Sequence, residues 1–147
     1  MMRNDLTHWP LVLTVAIGQS SLREHEAFLA AWTSWLDRGE PFAVLRTFAS
    51  QDALVHPDGG ARMAKQWMQD NGERIRQTVA ALVSVVPATE YERMRKMNVE
   101  KLFGVPGAVF SSSSEALAWL DAGVFQRRGW SIDHGAVEAA LSSLLAA

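Results

Sequence analysis

Four short stretches hold many of the side chains in this sequence that could do chemistry: Gly18-Gln-Ser-Ser21, Thr47 to Gln51, Pro87-Ala-Thr89 and Ser111 to Ser114. Each follows an apolar run that reads as a β-strand. In an open parallel sheet, ligands bind outside the carboxyl ends of the strands, where the strand order reverses. Hydroxyls and helix N-termini at such an edge suit an anion. The same residue types also cap helices, which accounts for Ser21 and Thr89 without any ligand. One cation stands close by, Arg46, near the end of the second run. It either contacts an anion in the crevice or lies half exposed on an edge strand, and the edge-strand reading is the simpler. The ligand contacts at this edge would be Arg46, Thr47, Ser50, Ser111 and Ser112, and the ligand would be acidic.

Other chemistries find no footing. Gly18 stands alone in its loop, and Gly59-Gly60 lacks both the G-x-G-x-x-G spacing and the lysine-serine pair of a phosphate cradle. His8, His25, His56 and His134 share no metal-ligand spacing. His25, between Glu24 and Glu26, reads as a solvated residue on the polar side of a helix. A serine hydrolase would want a G-x-S-x-G elbow, and Gly18-Gln-Ser20-Ser-Leu22 lacks the second glycine. With no cysteine, thiolate catalysis, disulfides and cysteine-held metals are excluded. No catalytic residue, metal or cofactor is expected, and the chain is not read as an enzyme.

A net charge of −2, with both signs spread along the chain, argues against nucleic acid as a partner. The first apolar run is too short for a bilayer and has no cleavage pattern after it, so neither a signal peptide nor a membrane span is expected. A cytoplasmic protein is the default.

The elements that must position these residues are legible from hydropathy. Trp9 to Gly18 carries no charge and fits a strand buried on both faces. Ser21-Leu-Arg-Glu24 has the form of a capping box, opening a helix with Phe28, Leu29, Trp32, Trp35 and Leu36 on one face. Phe42 to Phe48 reads as the second strand. A helix from about Gly60 to Gln77 follows, with a break possible near Gly72. Val79 to Val86 is the third strand. Thr89-Glu-Tyr-Glu92 has the form of a second capping box, opening a helix with Tyr91, Met94, Asn98 and Leu102 on one side. A short strand, Ala108 to Phe110, and a helix, Glu115 to Leu120, complete the alternation.

This order predicts a single-domain α/β fold: a mostly parallel four-stranded sheet of order 2-1-3-4, with helices on both faces. The α/β domain would span 1–122. Residues 123–147 would form a linker and an amphipathic helix, packed on the domain or on a partner. Six tryptophans are many for this length. Trp9 and Trp130 could anchor an interface, together with Phe125 and the stripe Val137, Leu141 and Leu144.

The chain resembles the STAS-like, SpoIIAA-like superfamily of small bacterial α/β domains. The resemblance lies in Trp9-Pro-Leu-Val12, in Leu36-Asp-Arg-Gly-Glu-Pro-Phe-Ala-Val44 and in Ser114-Glu-Ala-Leu-Ala-Trp-Leu120, and it covers residues 9–121. It implies a non-catalytic regulatory module that binds a protein partner; the aromatics and the extra apolar helix outside the α/β unit point to a homodimer or a small complex. The phosphoacceptor serine of the better-known members has no counterpart; Ser50 is the nearest hydroxyl. The competing expectation is a small acidic ligand held at the strand carboxyl ends, and a third is an enzyme of unrecognised type.

Overall fold

The structure, a computed structural model, describes residues 1–146. Its strands β1 (Met2–Asp5), β2 (Leu11–Ala16), β3 (Phe42–Phe48), β4 (Val79–Val85) and β5 (Gly107–Phe110) form one mixed sheet in that order. Strands β2 to β5 run parallel, and β1 pairs antiparallel with β2. The α/β class is as expected, but the 2-1-3-4 order is not: each parallel strand lies beside its predecessor, and the sheet has a fifth strand. Met2-Arg-Asn-Asp5 is too polar to announce itself as a strand. Buried parallel strands are apolar on both faces, so hydropathy carries no trace of which one is central. The middle of the sheet is β3, which had been expected at an edge.

Three successive crossovers in the same direction, each right-handed, put their helices on one face of a sheet. Helices α1 (Leu22–Asp37), α2 (Gly60–Thr78), α3 (Ala88–Met94) and α4 (Val99–Phe103) accordingly share a face. Trp32, Trp35, Ile75 and Val99 there bury against Val12, Phe42, Val44 and Leu82. The opposite face belongs to α5 (Ser113–Leu120) and α6 (His134–Leu145). There Leu117, Leu120, Phe125, Val137 and Leu141 cover Leu13, Val15, Leu45 and Val83. Strand alternation divides the two cores. No helix among the described residues is long and apolar enough to cross a membrane.

Local chemistry fixes the helix ends. The Ser21 hydroxyl accepts from the Glu24 amide while the Glu24 carboxylate accepts from the Ser21 amide, a complete capping box. Helix α2 runs unbroken through Gly72, which is buried. The Thr89–Glu92 box does not form. Helix α3 starts at Ala88 behind Pro87, and Glu90 and Glu92 bind Arg93 and Arg95 instead. One expected helix is two short ones, because Asn98 leaves the stripe to cap α4, its side chain accepting from the Lys101 amide. Leu102, placed on that stripe, is exposed.

The tail is part of the core. The chain passes the boundary expected at residue 122 as a π-helical turn, Asp121–Phe125, that buries Val124 and Phe125. Val137 and Leu141 are buried, and Leu144 and Trp130 pack against the same cluster. Trp130 meets Phe125 edge to face at 5.2 Å. Trp9 lies on Phe42, with Arg38 over its ring and Glu40 accepting from its Nε1. The six residues expected at an interface with a partner therefore pack within the chain. For the five beyond residue 122 the physical reason is the strand order: same-direction crossovers leave one sheet face bare, and α5 and α6 are what cover it, whereas Trp9 packs on the other face.

Candidate functional site

Strand register builds the site. Thr14 pairs with Arg46 and Arg46 with Ser84, so one level of the sheet carries a polar row across β2, β3 and β4. By alternation these side chains share the face of Val12, Val44 and Leu82. One level below is apolar core. At the polar level the helices stand off. Of α2 only Gly60, Gly72 and Ile75 are buried, while Trp67 and Met68 reach inward only partly. Trp67 is held on α1, its Nε1 donating to Thr33 Oγ1 at 2.9 Å.

The space between is a cavity of about 360 Å³, within the range of small-molecule sites, roughly 300–1,000 Å³. Thr14, Arg46 and Ser84 form part of its floor. Its walls are mostly apolar, among them Phe28, Trp32, Phe48, Trp67, Met68 and Phe103. Leu54, Val55, His56 and Pro57, from the 3₁₀ turn Gln51–Leu54 and the loop after it, also border it.

Arg46 dominates its electrostatics. Nε and Nη2 both donate to Ser84 Oγ, at 3.2 and 2.9 Å. The guanidinium lies 5.7 Å from the Phe48 ring and 5.6 Å from the Phe103 ring. None of the ion pairs among the described residues includes it. Desolvation lowers its pKa from the ordinary guanidinium value to about 10, so it stays a cation at neutral pH. That shift corresponds to a cost on the order of 3 kcal/mol. One hydroxyl and two rings offset a similar amount. The cation is tolerated, but its charge has no counter-ion.

The chain finds no match among protein-family models, curated proteins or solved structures. What the site can do follows from its own residues. A fixed cation in an apolar hollow selects an anion with an apolar body, since burial strengthens the charge–charge attraction and the walls reward the rest.

A second polar group borders the cavity. His25 is 7% exposed, and its Nε2 is buried without a hydrogen-bond partner. It is not the solvated residue expected from its acidic neighbours. At the first turn of α1 its ring turns inward and packs edge to face on His56, 5.4 Å away. Burial, and then the nearby His56, pull its pKa below the ordinary 6.5, while the Gly60 backbone pulls the other way. Gly60 is required here: a Cβ would sit 2.8 Å from Pro57 Cδ and 3.6 Å from His25 Cδ2. The two histidines belong to no group of three or more potential metal ligands among the described residues.

Of the ligand contacts expected from sequence, Arg46 stands in the cavity floor, on the middle strand and not on an edge. Thr47 borders the cavity, but alternation turns its side chain to the opposite face, level with Val15 and Val85; its Oγ1 is buried without a partner. Ser50 precedes the 3₁₀ turn and lies outside the lining. Ser112 caps α5, accepting from the Glu115 amide, and Ser111 is exposed beside it. Both belong to the helix on the far face, so they do not join Arg46. Thr14, Ser84 and His25 were missed. The signal for the first two was present: each is the polar interruption of an apolar strand, and both align with Arg46 at one depth.

Proposed function

We propose that the protein binds a small organic anion with an apolar body, its carboxylate seated on Arg46 and its body in the cavity above β2, β3 and β4. The observation that carries this reading is the partly buried Arg46 guanidinium, without a carboxylate partner and facing a mostly apolar hollow. The role is binding and not catalysis: the Ser84 hydroxyl has Arg46 as its hydrogen-bond partner and no general base beside it.

The test is a thermal-shift and fluorescence titration with medium-chain and aryl carboxylic acids, each beside its alcohol and amide. Trp32 and Trp67 border the cavity and supply the fluorescence signal. The acids should stabilise the protein, by about 2.7 kcal/mol at a hundred times Kd, and the alcohols should not. Equal responses from acids and alcohols, or none, would count against the reading.

The resemblance to partner-binding regulatory modules supports a second proposal, association with a protein. Its structural support is an apolar rim: Leu22 and Val55 are exposed, and Val55 borders the cavity. Light scattering across a concentration series tests the homodimer form of it; a monomer at all concentrations would sink that form.

A further inference from the structure

We infer that the ligand carries a hydroxyl at the far end of its apolar body from the carboxylate, and that His25 holds it. This rests on the Arg46 reading above. The two polar anchors border the same hollow and meet different elements around it. Arg46 is turned toward β4 and α4, where it meets Ser84 and Phe103. His25 is turned toward the start of α2, where it meets His56 and lies beside Gly60. Between them the lining is largely apolar, Trp32, Trp67 and Met68 included.

His25 Nε2 is the only buried side-chain nitrogen among the described residues without a hydrogen-bond partner. A buried polar atom left unpaired is costly, and a ligand group that pairs with it gains that cost back. A hydroxyl can donate or accept, so it satisfies either tautomer of a neutral imidazole. A second carboxylate would want an imidazolium, which burial and His56 oppose.

The experiment uses octanoic, decanoic and dodecanoic acids, their terminally hydroxylated counterparts and the matching dicarboxylic acids, titrated against the full chain by calorimetry. At the best-fitting length the hydroxy acid should bind about tenfold tighter than the plain acid, and the diacid no tighter than the plain acid. His25→Phe should remove the difference between hydroxy and plain acid. Should that variant fail to fold, the imidazole resonances of His25 in the unaltered protein decide: they should move with the hydroxy acid and not with the plain one. Plain and hydroxy acids binding equally, both lost in Arg46→Met, would overturn the His25 anchor and leave the Arg46 reading standing. No acid binding at any length would overturn both.

Discussion

Arg46 and Ser84 face each other on adjacent parallel strands, and the arginine places two of its donors on a single hydroxyl oxygen. That bond fixes the guanidinium without neutralising it. Ser84→Ala should cost about 1–3 kcal/mol, because a partly buried charged group loses its hydrogen-bond partner. Urea denaturation checks this, and an unchanged midpoint would mean the hydroxyl does not hold the arginine.

Arg46→Met removes a desolvated cation and keeps an unbranched apolar chain of similar reach. The unliganded variant should be at least as stable as the parent, since an apolar group in place of a desolvated, unpaired charge is often neutral or better. Its stabilisation by carboxylic acids should vanish. Arg46→Lys should not restore it fully, because an ammonium cannot reproduce the planar fork on Ser84. A large drop in Tm for Arg46→Met without ligand would contradict the desolvation argument.

The His25 environment predicts acid sensitivity. Its folded pKa lies below 6.5, the ordinary value it regains on unfolding. In the interval between them the unfolded chain takes up a proton that the folded chain does not, so stability falls as pH falls. The full contribution is present above about 6.5 and is lost on descending through the folded pKa. His25→Gln should flatten this part of the stability–pH curve; an unchanged slope would place the effect elsewhere.

Gly107 opens β5 where the strand passes under α4. A Cβ there would collide with Val99 Cγ1 and come within 2.6 Å of the Leu82 carbonyl oxygen. Gly107→Ala should therefore destabilise by about 1–3 kcal/mol, as overpacking in a core does. Chemical denaturation measures it, and a neutral effect would show that α4 yields easily.

Leu141 is 3% exposed on the face of α6 that covers the sheet. Leu141→Ala should cost about 2–5 kcal/mol. A partner-facing Leu141 would instead leave stability at low concentration unchanged and alter self-association, which sedimentation velocity would reveal.

The strands and helices that carry apolar periodicity were legible because burial writes itself into hydropathy: Leu11–Ala16, Phe42–Phe48 and Val79–Val85 stand out, and Ser21 with Glu24 marks the start of α1. What pairs with what was not legible. Register decides that Thr14, Arg46 and Ser84 share one level, and register among buried parallel strands leaves no mark in any one strand. His25 was hidden for a different reason. Its neighbours Glu24 and Glu26 are surface residues, but a helix turns 100° per residue, so a buried ring can sit between two solvated carboxylates. Ser111 and Ser112 misled because strand-end hydroxyls cap helices on whichever face the next helix takes.

Sequential strand order also bears on how the chain is made. The first four helices all settle on one side, so a nascent chain stopped near residue 112 can form the strands and the cavity yet leaves Leu13, Val15, Leu45 and Val83 facing water. Their cover, from α5 onward, is synthesised only after all five strands. Until it arrives, the growing polypeptide presents a broad greasy sheet, the kind of surface that aggregates or recruits chaperones. The stretch from Ser113 to Leu145 is the wrapper for a sheet face that everything before it leaves bare.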